Sequence, residues 1–195
     1  MAQDTYAVTH VMADIETLGV RPGSVILSVG AVAFDPYRGT LGPEFSTCID
    51  PVESQAAGLT IDAGTVRWWM QQDEAARMRA MELGDTPHRA LTNLAIWIEK
   101  LNAPRRIWSH GATFDPVMLD AAFDRLELRK AWSHRDVRDT RTLYDLAGIE
   151  DLSEFRSPGD VHHDALSDAR TQAWAVIAAY RSLGLAQVMR EAAHG

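Results

Sequence analysis

The run "HVMADIET" ends in two carboxylates two residues apart, Asp14 and Glu16. Such an apolar run reads as a β-strand, and alternate residues of a strand share a face. Asp14 and Glu16 therefore project together from the margin of a buried strand. Two like charges at the edge of a core are expensive unless something compensates them. A divalent cation is the simplest compensation, and carboxylate oxygens are hard ligands suited to magnesium or manganese.

Further acids follow in order. Asp115, in "IWSHGATFDPVML", comes after an apolar strand-like segment. It also stands before Pro116, the pattern of a helix N-cap with Pro in the first turn. In "VHHDALSDARTQAWAVIAAY", His163 precedes Asp168 by five residues at the start of a long helix. Five helical residues rotate by about 500°, so the two would not share a helix face. They converge only if His163 lies in the loop or at the helix start and Asp168 in the first turns, with Asp164 as N-cap. Imidazole titrates near neutrality, which suits a general base. On chemistry alone His162 serves as well as His163.

Taken together, Asp14-Ile15-Glu16, Phe114-Asp115 and His163 followed by Asp168 resemble the motifs of the DEDDh 3′–5′ exonucleases in the ribonuclease H-like superfamily. The resemblance runs over residues 8–182. It implies an α/β fold, a ribonuclease H-like mixed five-stranded sheet flanked by helices. It implies two Mg2+ or Mn2+ ions per active site, with Asp14, Glu16, Asp115 and Asp168 as ligands. The family spacing H-x-A-x-x-D fits His163 as the base and misses His162 by one residue. The implied reaction is hydrolysis of single-stranded RNA or DNA from its 3′ end to nucleoside 5′-monophosphates. One metal would activate the water and the other would stabilise the leaving oxygen. Thr17, Leu18 and Gly19 would meet the 3′-terminal nucleotide, with Leu18 wedged against its base or, alternatively, capping the core. His110 and Phe114 belong to the second motif, where His110 is a substrate contact or plain packing. The segments "DIETLGVRPGSVILSVGAVAFDP" and "TVRWWMQQ" look most like the ribonuclease T-like branch, which includes ribonuclease AS-type enzymes and is often homodimeric.

Trp68 and Trp69 are adjacent, so on a helix they point about 100° apart. Trp69 shares a stripe with Val66 and Met70 and is expected in the core. Trp68 shares a more polar face with Thr65 and Gln72, which suggests base stacking or a subunit interface. Lysine occurs only at positions 100 and 130, so arginine supplies most of the positive charge. Arginine suits planar phosphate recognition, and Arg141, near an expected strand end, is the substrate candidate among them.

The net charge of −8 argues against wide binding to a nucleic-acid backbone, and the four candidate ligands supply half of it. A grip on a few nucleotides at a strand end is compatible with it. The 195 residues suit one domain, residues 1–195, and no low-complexity linker divides them. No stretch approaches the roughly 20 apolar residues of a membrane span. The first residues carry no basic, apolar leader, and a single cysteine, Cys48, allows no intrachain disulfide; both fit a cytoplasmic protein. Two other readings are a silent nucleic-acid-binding module on the same fold and a metal-dependent nucleotide phosphatase. The intact set of acids and His argues against the silent module.

The apolar pattern predicts strands over 7–15, 24–34, 43–50 and 105–110, the first three forming an antiparallel meander. A helical stretch begins near Asp62 and reaches Leu83, and another runs from Thr86 to Pro104 with Leu91, Leu94, Ala95 and Ile98 buried. A helix over 116–126 should bury Val117, Met118, Ala121 and Ala122. A fifth strand within 133–140, a helix over 141–148, the long final helix and a short tail helix complete the order.

Overall fold

A computed structural model of the chain describes residues 9–101 and 105–186. β1 (Thr9–Thr17), β2 (Ile26–Asp35) and β3 (Thr40–Cys48) form the expected meander. β4 (Arg105–Ser109) and β5 (Val137–Asp139) extend it on the other side, giving the order β3-β2-β1-β4-β5. β2 pairs antiparallel with both β1 and β3, whereas β4 pairs parallel with β1 and β5. The sheet is therefore mixed and five-stranded, as the sequence resemblance implied.

Alternation along β1 divides the core. Val11, Ala13 and Ile15 face α4 (Pro87–Lys100) and α5 (Asp115–Arg125), packing with Leu91, Leu94, Ile98, Met118, Leu119 and Phe123. On the other face Met12 packs with Val32, Phe34 and the long helix α7 (Ala165–Ser182) through Ala169, Ala173, Val176 and Ile177. Helix α6 (Thr140–Ala147) adds Tyr144 to that layer and ends on Gly148, whose φ of 70° suits a glycine cap. Asp14 and Glu16 belong to the α7 face by the same period of two.

Gly30 explains why α7 comes so close. It pairs with Asp14 across β1 and β2. A Cβ at Gly30 would lie 2.2 Å from the Ala165 carbonyl carbon and from the Leu166 nitrogen. Only glycine lets the first turn of α7 rest on the sheet there, and that turn carries Asp168.

The segment between β3 and α4 departs from the sequence expectation. Helix α1 (Pro51–Ala56) was not foreseen, although Asp50 accepts from the Val52 and Glu53 N–H groups at 2.7 and 3.2 Å and Pro51 opens the helix. The expected long helix is two short ones, α2 (Ala63–Trp69) and α3 (Glu74–Ala80). A straight helix of that stretch would be roughly 35 Å long and would overrun the small cluster it serves. The break lets Trp69 from α2 and Ala76 and Ala80 from α3 pack with Leu18, Val25, Leu27 and Leu59. Met70, placed with the buried stripe by its spacing, caps α2 and is exposed, because the helix stops before the period can carry it inward.

The buried stripe of α4 is as expected, and Thr86 caps it by accepting from the Arg89 N–H. In α5 Met118 and Ala122 are buried as expected, together with Leu119 and Phe123, whereas Val117 faces outward and Ala121 is half-buried. Pro104 and the expected tail helix beyond residue 186 lie outside the described residues, as do the first two residues of the strand expected at 7–15. No helix among the described residues is long and apolar enough to cross a membrane.

Candidate active site

Parallel pairing of β1 with β4 stops at Met12 and Trp108. Beyond that point the two chains diverge, and a cleft opens at their C-terminal ends, where open α/β sheets bind ligands. The cleft has a volume of about 490 Å³. Asp14 and Glu16 come from β1, Asp115 from the start of α5, and Asp168 from the first turn of α7; all four line it.

Ligand atoms of Asp14, Glu16 and Asp168 lie within 4.8 Å of one another. Asp115 is buried, and its carboxylate accepts hydrogen bonds from its own N–H and that of Ile15. It is the first residue of α5, whereas the cap position falls on Phe114 and has no side-chain cap bond. The N-cap alternative for Asp115 is therefore not what the fold uses; its carboxylate is tied to β1.

The electrostatics follow from burial and crowding. Burial pushes the Asp14 carboxyl well above its usual range, and the charges of Asp115, Glu16 and Asp168 push it the same way. Glu16 is pushed up to about 8 by burial and then by Asp168, Asp115 and Asp164. Burial raises Asp115 to about 7, against the pull of its two backbone hydrogen bonds and Arg141. Carboxylates so crowded are stabilised by either protons or cations. The donors are hard oxygens, so the residues fit a divalent cation of the magnesium type.

His163 sits in the turn before α7, as its spacing from Asp168 required. Asp164 caps the helix by accepting from the Ser167 N–H at 3.1 Å. The His163 N–H donates to Asp168 Oδ2 at 3.0 Å, and its φ of 62° lies in the left-handed region. Its ring is edge-on to Trp68, with centroids 5.0 Å apart, and 6.2 Å from Trp69. Burial lowers the His163 pKa, helped by His162 and opposed by Asp168, which favours the neutral ring.

The remaining candidates separate into those in the cleft and those behind it. His110, Phe114 and Arg141 line the cleft. His110 Nδ1 is 3.0 Å from Thr140 Oγ1, and burial lowers its pKa. Trp69 is in the core as expected, with Nε1 donating to the Thr17 carbonyl at 2.8 Å. Trp68 is partly exposed and stands beside the cleft, against the His163 ring.

Thr17, Leu18 and Gly19 do not line the cleft. The Thr17 hydroxyl donates to the Gly19 carbonyl at 2.7 Å, and Gly19 is packed against Ser24. Leu18 is only 4% exposed and fills the cluster around Trp69. Of the two roles open for its side chain, the core cap is the one that this packing supports.

Two site residues escaped the sequence reading. Gln172 donates from Nε2 to Asp14 Oδ1 at 2.8 Å, while its buried Oε1 has no partner among the described residues. Arg156 donates to Asp168 Oδ1 at 2.8 Å from the loop before α7. Gln172 lies four residues after Asp168, so helical spacing could have found it. Nothing local marks Arg156.

Comparison with known proteins agrees with this geometry. The model of the 3′–5′ exoribonuclease Rv2179c-like domain matches residues 9–180. No curated protein matches the sequence significantly. Among solved structures, the nuclease domain of 3′hExo, a DEDDh family member bound to rAMP, is similar with a TM-score of 0.63 and 13% identity, over 93% of this chain and 94% of that one. E. coli exonuclease I in complex with a dA16 oligonucleotide gives 0.67 at 15% identity, over 92% of this chain and 42% of that one. The zinc-bound form of E. coli exonuclease I with single-stranded DNA gives 0.62 at 18% identity, over 91% and 40%. The chain thus spans about two-fifths of those exonuclease I chains, and the likeness is one of fold.

Proposed function

The chain belongs to the 3′–5′ exoribonuclease Rv2179c-like domain family, and from that premise we propose that it removes nucleoside 5′-monophosphates from the 3′ end of single-stranded RNA. The observation that carries the reading is the convergence of Asp14, Glu16 and Asp168 within 4.8 Å, in a cleft that His163 also lines. Asp14, Glu16, Asp115 and Asp168 would hold two divalent cations, Mg2+ or Mn2+. When bound, the cations supply the charge that offsets the acids and polarises water and phosphate oxygens.

The chain's own residues do the rest. Gln172 fixes Asp14 through its amide, so the carboxylate keeps one orientation. His163, whose burial favours the neutral ring, takes the proton of the attacking water. Its backbone bond to Asp168 ties the position of the base to that of a ligand. Arg141 and Arg156 line the cleft and would meet phosphate oxygens, a geometry the guanidinium fork suits. The partly exposed Trp68 would stack against a base at the cleft's edge.

The test is incubation of the protein with magnesium and 5′-labelled RNA, including poly(A), beside a DNA of matched sequence. A ladder shortening from the 3′ end, faster on RNA and lost in Asp14→Asn, is the expected result. Loss of a terminal phosphate in a single step indicates a phosphatase, unchanged RNA indicates a binding module, and a preference for DNA overturns the substrate assignment.

A further inference from the structure

His162 has no part in the reaction proposed above, yet it is held beside the base. Side chains of adjacent residues normally diverge in an extended chain. Here the left-handed φ of 62° at His163 gathers them, and the two imidazole centroids are 3.9 Å apart. Non-glycine residues adopt that conformation uncommonly, histidine more readily than most, and strained residues are enriched at functional sites. One ligand atom each from His162, His163 and Asp168 lies within 4.8 Å of the others.

This donor set differs in kind from the carboxylate cluster. Magnesium prefers oxygen and binds imidazole poorly. Two imidazole nitrogens and one carboxylate oxygen suit zinc, which commonly takes three protein ligands of this type and leaves a further position open. Asp168 already accepts from Arg156 and from the His163 N–H. A carboxylate has about four lone-pair sites, so acceptor capacity remains. His162 is exposed and lines the cleft, so an ion can reach it.

We propose that His162, His163 and Asp168 form a zinc site through which zinc restrains the nuclease in the presence of excess magnesium. Coordination through His163 occupies the ring nitrogen that would otherwise accept the proton of water. The inhibitory effect rests on the reading of His163 as the base; the metal site itself does not. His162 adds the second nitrogen, which sets the site apart from the acid cluster, where every donor is oxygen.

The experiment titrates zinc chloride into the protein in excess magnesium and follows both calorimetric binding and cleavage of 5′-labelled RNA. The parent should bind one zinc per chain and lose activity over the same concentration range. His162→Ala, and His162→Gln as a second variant, should keep the magnesium-supported rate to within about threefold. Each should bind zinc more weakly by more than the roughly 10–100-fold that loss of a hydrogen-bond partner of a ligand costs, with the inhibition curve displaced equally. Unchanged zinc binding and inhibition in both variants would place the ion among the carboxylates and overturn the proposal. Absence of calorimetric binding to the parent would also overturn it. The base reading is judged separately by His163→Ala without zinc. If that variant cleaves at the parent's rate, His163 is not the base, while loss of zinc binding in the His162 variants still establishes the site.

Discussion

Replacing Glu16 by Gln should make the metal-free protein more stable while abolishing its activity. Glu16 is buried among acids, and its folded-state pKa is raised from 4.5 to about 8. Between those two values the folded chain holds a proton that the unfolded chain has released. Stability therefore falls as pH rises through that window and levels off above about pH 8. At pH 7 the penalty spans about 2.5 pH units, which at about 1.36 kcal/mol per unit comes to roughly 3 kcal/mol. Gln has nearly the shape of the protonated acid and carries no such penalty. One kcal/mol moves the melting temperature of a domain this size by about 2–4 °C, and neighbouring acids share part of the relief, so a gain of roughly 5–10 °C at pH 7 is the working figure.

The assay is thermal melting by circular dichroism in a chelating buffer from pH 4.5 to pH 8. The variant and parent should coincide near pH 4.5 and separate steadily above it. Saturating magnesium should narrow or reverse the gap, because a ligand that binds the folded parent at 100 times its Kd adds about 2.7 kcal/mol and the variant has lost a donor. A variant that melts below the parent in chelator at pH 7, or a difference independent of pH, would refute the argument from burial and like charge.

Other expectations follow from the same geometry. His163→Ala should lose about 10²–10⁴-fold in turnover with magnesium binding by calorimetry retained, and His162→Ala far less; the reverse order would shift the base by one residue. Gly30→Ala should cost about 1–3 kcal/mol in urea unfolding and reduce turnover, because its Cβ would displace the turn that carries Asp168; a neutral result would show that α7 can move off β2 freely. His10, buried with Nδ1 accepting from Trp108 Nε1 at 2.8 Å, has its pKa lowered to about 3 by burial and by Arg106 and Arg138. The unfolded chain protonates it first, so stability should fall as pH drops from about 6.5 towards 3, and His10→Gln should flatten that acid limb in urea titrations.

What could be read from the sequence was whatever depends on a local period. Asp14 and Glu16 share a face because a strand repeats every two residues, and no tertiary contact is needed to say so. The separation of His163 from Asp168 required a turn followed by a capped helix, and Asp164 supplies the cap. Where a reading failed, tertiary packing had decided the matter. For Leu18 the sequence left a wedge and a core cap both open, and only the packing around Trp69 favours the cap. Met70 follows the period of Val66 and Trp69, but α2 ends before it can be buried. Val117 and Leu119 are both apolar, and the rotation of α5 that buries Met118, Leu119, Ala122 and Phe123 turns Val117 outward. Asp50-Pro51 carried the signature of a helix start and was missed because the helix is short; a cap alone says little about how far a helix continues.

The site shows the same division, with a consequence for its chemistry. The acids are legible because each closes a motif, but the raised pKa values of Asp14, Glu16 and Asp115 arise only when three separate elements, β1, α5 and α7, bring the acids together. Gly30 is the physical link: it has no side chain, it pairs with Asp14, and it lets Ala165 and Leu166 rest against β2. The closer Asp168 comes to Asp14 and Glu16, the higher their pKa values and the greater the free energy that a cation recovers on binding. By this argument, close packing at a glycine with no chemistry of its own would contribute both to the instability of the metal-free site and to the affinity proposed for cations. Backing α7 away from the sheet, as Gly30→Ala would, should weaken cation binding and lower the Glu16 pKa together. The two can be measured on one variant, by calorimetry with magnesium and by the pH dependence of melting in chelator; a change in one without the other would break the link.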